Sequence, residues 1–332
     1  HWVDGPDSLA GKADIKLVWE ASRFSLAYYF ARACARDGDE KWAQAFWTMF
    51  EVWVEQNPPE HSAVWRCGQE MTFRLMAMLT AAITMLPSPA TTSERLYALT
   101  RLVWQIGRHI SVNINVGLMQ ENNHGISEAV GLLTAGLLFP EFRESETWIK
   151  RGRKHVVHEM RRQVYDDGSF VQQSMNYHRV MMDDMLWATR ISELAGRPLP
   201  PNAIDRFRRA LKWLREMIDP ASGQVPNYGN NDGASVLPLS CCDYLNYRPT
   251  AQAASLLLEG APAFAPGPWD EKALWLLGEE KIVVRSQESE DRKSPARNPQ
   301  SEILPDGGYY ILRGPNSWAM TRCCEYRDRP SH

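Results

Sequence analysis

The chain has 332 residues, 44% hydrophobic and 23% charged, which is enough apolar side chain to bury a sizeable core and too much for wholesale disorder. Its 37 basic and 40 acidic residues leave a formal charge of −3, so no global cationic field draws it to nucleic acid or an anionic membrane. No membrane span is expected, because Arg, Glu or Gln interrupts every greasy stretch within a few turns.

The chain opens at His1 without a basic-then-apolar leader, so a signal peptide cannot be read from it. From residue 13 to about 260 the apolar spacing predicts helix after helix. Asp14 caps a first segment carrying Ile15, Val18, Trp19, Phe24 and Leu26, which Gly38 and Asp39 stop. A second carries Trp42, Phe46, Trp47, Phe50 and Trp53 and ends at Asn57, Pro58 and Pro59. Further helices are predicted at about 67–86, 93–112, 126–138, 143–164, 174–195, 202–218 and 242–259, about nine in all. Ser286–Gln300 is charged and nearly free of apolar residues, and reads as a linker. After it, Tyr309–Leu312 and Trp318–Thr321 flank a Gly314, Pro315, Asn316 turn as two strands. The expected organisation is therefore a helical domain over 1–285, a linker over 286–302, and over 303–332 the start of a β domain cut short at the chain's end.

The six cysteines are Cys34, Cys67 and the adjacent pairs Cys241–Cys242 and Cys323–Cys324, none in a CxxC or zinc-knuckle spacing. His155, His158 and Glu159 lack the HExxH order, and no metal or other cofactor is expected. Lys150, Arg151, Arg153 and Lys154 form a basic run that reads as a solvated helix face. Glu70 and Arg74, one turn apart, suggest a structural ion pair. Most of the 13 tryptophans, Trp42, Trp47 and Trp53 among them, sit at core spacing.

Three polar clusters stand out. Glu121, Asn122, Asn123, His124, Gly125, Ser127 and Glu128 form a loop entering a helix at Ile126, where His124 and Glu128 fall one turn apart; a helix cap would account for it as well. Asp166 and Asp167 with Gly168 make a turn, followed by Gln172, Gln173 and a helix whose first turns hold Asn176, Tyr177, His178 and Arg179. Asn227, Asn230, Asn231 and Asp232 lie in an amide-rich loop, which serves as turn chemistry or binds sugar hydroxyls, since each amide both donates and accepts.

Together these stretches resemble the heparinase II/III-like polysaccharide lyases, relatives of heparinase III and the oligoalginate lyases. The carriers are N-N-H-G-I-S-E at 122–128, D-G-S-F-V-Q-Q-S-M-N-Y-H-R at 167–179, D-G-G-Y-Y-I-L-R at 306–313 and R-P-S-H at 329–332, with D-I-K-L-V-W-E-A-S-R-F at 14–24 like the family's opening helix. The resemblance implies an incomplete (α/α) toroid of helical hairpins followed by the first strands of an antiparallel β-sandwich. It also implies β-elimination on an anionic, uronic-acid polysaccharide, and a periplasmic or secreted protein. By the same resemblance Asn123 and His124 neutralise the C5 carboxylate, Tyr177 is base or acid, and His332 faces the helical domain. Asn122, Glu128, Gln173, Asn176, His178, Arg179, Asn230, Asn231 and Asp232 are expected to bind substrate, with Arg179 and His178 beside the phenolate. The chemistry asks for such groups: the C5 proton is hard to remove until the neighbouring carboxylate is neutralised or hydrogen-bonded.

Two other readings stay open. A toroid glycoside hydrolase would use paired carboxylates such as Glu128 and Asp232, and a non-catalytic glycan-binding protein would turn nothing over.

Overall fold

The computed structural model of the chain describes residues 15–279, 301–314 and 317–323. Among them lie α1 (Lys16–Ala21), α2 (Leu26–Asp37), α3 (Glu40–Gln56), α4 (Gly68–Thr84), α5 (Ser93–Met119) and α6 (Asn123–Leu138). Next come α7 (Ser145–Gln163), α8 (Met175–Leu194), α9 (Pro201–Met217), α10 (Arg248–Leu258) and α11 (Glu271–Leu277). Strands β1 (Glu302–Leu304), β2 (Tyr309–Arg313) and β3 (Trp318–Arg322) form one antiparallel sheet in the order β1-β2-β3. The expected succession, helices and then antiparallel strands, is borne out. The segment 286–300, the residues Pro315 and Asn316, and His332 lie outside the described residues.

Local chemistry explains where the boundaries differ from expectation. The first helix is two, because Phe24 takes a positive φ of 61° between α1 and α2, a backbone state that ends a helix. Helix α5 runs to Met119 rather than 112, its Asn113 side chain turning back to the His109 carbonyl at 2.9 Å while Ile114 and Gly117 stay buried. Helix α10 begins at Arg248, not 242: Pro249 suits the first turn, where no N–H is needed. A third strand, β1, pairs Ile303 with Tyr310 ahead of the two predicted ones.

The described chain divides into two compact units. The first holds residues up to 119, 127–152 and 237–239; the second holds 120–126, 153–236 and those from 240 on.

In the first unit α4 is the central helix, buried without a break from Gly68 to Leu79. Phe46, Trp47 and Phe50 of α3 are fully buried, each such ring contributing about 2 to 3 kcal/mol of apolar burial, whereas Trp42 and Trp53 are only half-buried. Glu70 does not pair with Arg74. Its carboxylate takes both Nε and Nη2 of Arg23, at 2.5 and 2.8 Å, and Arg74 donates from Nε to the Ser22 carbonyl at 2.6 Å with its plane over the Trp53 ring. That geometry follows from burial, since Arg74 is fully enclosed and its pKa is pushed down to about 10. Glu128 of α6 is 4% exposed. It sits against Gly68 of α4 and Gly117 of α5, where an added Cβ would lie 2.6 and 2.5 Å from its carboxyl carbon. Desolvation raises the Glu128 carboxyl to about 8, so it holds its proton at neutral pH.

In the second unit the central helix is α8, buried along nearly its whole length and flanked by α9, α10 and α11. Its Asp183 accepts from Lys272 Nζ at 2.8 and 3.0 Å and from the Thr250 hydroxyl at 2.9 Å, all buried. The sheet is tied to the helices by a clasp between two acidic-glycine turns. Asp167 accepts from the Ser169 N–H and hydroxyl with one oxygen and from the Gly307 N–H, at 2.8 Å, with the other. Gly168 is needed there: its φ is 88° and a Cβ would strike the Arg209 carbonyl. Arg313 of β2 adds an ion pair to Glu216 at 2.7 Å.

Candidate active site

The site is assembled in the second unit from three pieces of backbone. The first is the start of α6. The Asn122 side chain accepts from the His124 N–H at 3.0 Å, the local turn that Asn favours, and Gln163 Nε2 of α7 donates to the Asn122 carbonyl at 2.8 Å. Gln163 is itself held to Glu159 at 2.6 Å. The Asn123 N–H, one of the donors a helix start leaves unpaired, goes to Gln172 Oε1 at 2.9 Å. Asn122 and Asn123 are buried and His124 is half-buried, its Nδ1 3.5 Å from Gln120 Nε2.

The second piece is the start of α8. Ser174 caps it, its hydroxyl oxygen accepting from the Tyr177 N–H. Gln172 and Ser174, two residues apart, thus tie the starts of α6 and α8 to one segment. That segment is strained, for Gln173 has φ 53° and Glu121, ahead of Asn122, has φ 56°. Side chains in the left-handed region cost about 1–2 kcal/mol each, and two of the four such non-glycine residues among those described flank this site.

The third piece is the loop 226–234, stitched to α8 at alternate residues. The Tyr228 carbonyl accepts from the Met175 N–H, the Asn230 carbonyl from the Ser174 hydroxyl, and the Asp232 carboxylate from the Tyr177 hydroxyl at 2.9 Å and Asn176 Nδ2 at 3.1 Å. Gly229 lets the loop approach, since a Cβ there would lie 2.3 Å from the Gln173 carbonyl oxygen. Asn231 points the other way and accepts from the Tyr244 hydroxyl at 2.6 Å, which also reaches Asn176 Oδ1 at 2.7 Å.

The expected residues therefore divide. Asn176, Tyr177, Asn231 and Asp232 share one hydrogen-bond network, to which Asn230 adds its backbone. Arg179 joins it indirectly, through Asn176 at 3.3 Å and the Tyr244 carbonyl, with its guanidinium between the rings of Tyr244 and Tyr247 at 4.2 and 4.3 Å. The Tyr177 hydroxyl meets Asp232 where Arg179 or His178 was expected. His178 is fully buried, its Nε2 bonded to the Ala210 carbonyl and its ring 4.5 Å from Trp213, so it offers nothing to a substrate. Burial lowers its pKa to about 4 and keeps it neutral. It belongs to a row of rings, Phe170, His178, Trp213, Tyr309 and Tyr228, that packs the sheet against α8 and α9. Glu128, closed between Gly68 and Gly117 in the first unit, does not share this network.

Sequence reasoning missed Gln163 and Tyr244 and gave Gln172 no role. Only Pro249 could have signalled Tyr244, by placing it outside α10. Among the described residues no group of three or more His, Cys, Asp or Glu could hold a metal, and no helix is long and apolar enough to cross a membrane.

Known proteins agree with this architecture. The family model described as Heparinase II/III N-terminus matches residues 2–253. A heparin-sulfate lyase of Bacteroides stercoris is 25% identical over 240 residues, covering 65% of this chain and 34% of that protein. One of Pedobacter heparinus is 28% identical over 180 residues, covering 53% and 27%. The chain thus spans about a third of the length of these curated relatives. The crystal structure of heparan sulfate lyase HepC from Pedobacter heparinus aligns with a TM-score of 0.58 at 21% identity, over 94% of this chain and 44% of that one. A crystal structure of heparinase III aligns with a TM-score of 0.58 at 18% identity, over 89% and 42%. Such identities speak to fold alone. The long match of the family model, laid over the helices that carry the site, places the chain in the heparinase II/III family.

Proposed function

We propose that the protein is a polysaccharide lyase that cleaves a uronic-acid-containing polysaccharide by β-elimination, with heparan sulfate the first polymer to test. The observation that carries this reading is Tyr177: a buried ring whose hydroxyl is held at 2.9 Å on Asp232 within an amide-rich network. A positioned phenol suits removal of a C5 proton and return of a proton to the leaving O4. In this reading Asn123 and His124 hydrogen-bond the substrate carboxylate as charge builds at C5. The relatives named heparin-sulfate lyase favour a glycosaminoglycan over alginate. The hydrolase reading is weakened, because Glu128 lies in the first unit, closed between Gly68 and Gly117, and does not share the hydrogen-bond network of Asp232. A polymer of this kind lies outside the cytoplasm, and we assign the protein to the periplasm or the exterior.

The test is ultraviolet absorbance of the full-length protein on heparan sulfate, heparin, hyaluronan and alginate. Elimination leaves an absorbing double bond and hydrolysis does not. A rise on heparan sulfate, abolished in Tyr177→Phe and His124→Ala, is expected. Chain cleavage without absorbance would establish hydrolysis instead, and binding without cleavage a glycan-binding protein.

A further inference from the structure

We propose that Asp232 is the proton partner of Tyr177, so that the base in this chain is a phenol–carboxylate dyad rather than a free phenolate. The inference rests on the elimination reading above and deepens it.

The geometry gives the phenol a carboxylate oxygen of its own. Among the described residues Asp232 meets the Tyr177 hydroxyl at 2.9 Å and Asn176 Nδ2 at 3.1 Å from α8, and the Ala234 N–H at 3.2 Å from its own loop. The two N–H donors occupy Oδ1, which leaves Oδ2 to the phenol, and as a carboxylate Asp232 accepts there. The phenol therefore carries its proton and points it at Asp232. The cation nearby does not stand in as a stabiliser of phenolate. Arg179 is turned to the Tyr244 carbonyl and to Asn176 Oδ1, with its plane against two other rings. Tyr244, from the segment before α10, shares its one hydroxyl proton between Asn176 Oδ1 and Asn231 Oδ1. Among the described residues, Arg179 and Tyr244 stand beside the pair, and both bond to Asn176.

A phenol in this setting acts as base only if its own proton has somewhere to go. As Tyr177 Oη takes the C5 proton, its phenolic proton passes to Asp232 Oδ2. The C5–H electron pair becomes the C4=C5 double bond, and the C4–O4 bond breaks with its pair on O4. Tyr177 then hands the proton taken from C5 to O4 and recovers its phenolic proton from Asp232. The dyad ends as it began, with no co-reactant. Asp232 touches the substrate at no step and is a positioning and proton-accepting residue acting through Tyr177.

The experiment compares wild type with Asp232→Asn, Asp232→Glu and Tyr177→Phe on whichever polymer the wild type degrades, following kcat, KM and the pH dependence of kcat. Asp232→Asn keeps an oxygen facing the phenol and removes the basicity. It is expected to lower kcat by ~100-fold or more with KM changed less than about three-fold, the range general-base catalysis supplies. The acidic limb of the pH profile is expected to disappear, and Asp232→Glu to restore part of kcat together with that limb. An Asp232→Asn enzyme with wild-type kcat and profile, or one altered in KM alone, would overturn the dyad while leaving elimination intact. Wild-type isotope effects supply a reading that needs no variant. A solvent isotope effect that persists when C5 carries deuterium puts both proton movements in one step, and one that vanishes separates them and refutes the dyad. Failure of elimination itself would show as no ultraviolet-absorbing product from the wild type.

Discussion

Replacing Glu128 by Gln should make the protein more stable at neutral pH and remove a pH dependence that the wild type carries. The carboxyl ionises near 4.5 in the unfolded chain and near 8 in the folded one, because it is shut between Gly68 and Gly117 away from water. Below pH 4.5 both states hold the proton and the group is silent. As pH rises from 4.5 to 8 only the unfolded chain releases it, so folded stability falls; above 8 the loss is complete. At ~1.4 kcal/mol per pH unit the whole window is worth about 5 kcal/mol, of which about 3 is already lost at pH 7. Gln keeps the shape without the charge, and its unpaired amide costs about 1–3 kcal/mol in return. The net expectation is a variant equal to or weaker than wild type at pH 5 and stronger by about 1–3 kcal/mol at pH 8. Urea titrations at pH 5, 6, 7 and 8 measure this directly. Parallel pH slopes in the two proteins, or a wild type no less stable at pH 8 than at pH 5, would refute the buried-acid argument.

Other expectations follow from the same coordinates. Gly117→Ala should destabilise by about 1–3 kcal/mol in thermal melts, since its Cβ would stand 2.5 Å from the Glu128 carboxyl carbon. Lys272→Met should cost about 3–5 kcal/mol by leaving Asp183 buried and uncompensated, and pairing it with Asp183→Leu should recover most of the loss; urea midpoints of the two variants decide. Gln172→Leu removes the acceptor of the Asn123 N–H. It should lower stability by about 1–2 kcal/mol and, on a polymer the wild type degrades, lower kcat without loss of Tyr177 function in the pH profile. Gly307→Ala should loosen the sheet from the helices, its Cβ falling 2.2 Å from Ser169 Oγ, read as faster proteolysis within 301–323 while the helical circular dichroism holds.

The helical order was legible because apolar spacing at 3.6 residues is written into each element, as with Phe46, Trp47 and Phe50. Boundaries failed where the backbone turns left-handed without a glycine to mark it, as at Phe24, or where a helix runs on through an Asn whose side chain bonds back one turn, as at Asn113 of α5. The site was legible as three clusters, since dense amides and acids beside turns are unusual in a surface helix. Their pairing was not. That Tyr177 meets Asp232, 55 positions away, is set by how the loop lies against α8. His178 looked as available as its neighbours, yet α8 turns about 100° per residue, and the step from Tyr177 to His178 carries the ring into the aromatic row. Glu128 misled for the same reason: a polar residue at a core position carries no mark of its burial in the sequence.

The loop 226–234 exposes Asn227, Gly229, Asn230, Asn231 and Gly233, the kind of segment in which insertions and deletions are usually tolerated. Its contacts with α8 fall on Tyr228, Asn230 and Asp232, every second residue. A single residue added or lost between Gly229 and Asp232 would swap parity, turning the carboxylate outward and presenting Asn231 or Gly233 to Tyr177. The loop is thus intolerant of change in its length, however exposed its tip. One residue more or fewer at this point should therefore cost the phenol its carboxylate partner.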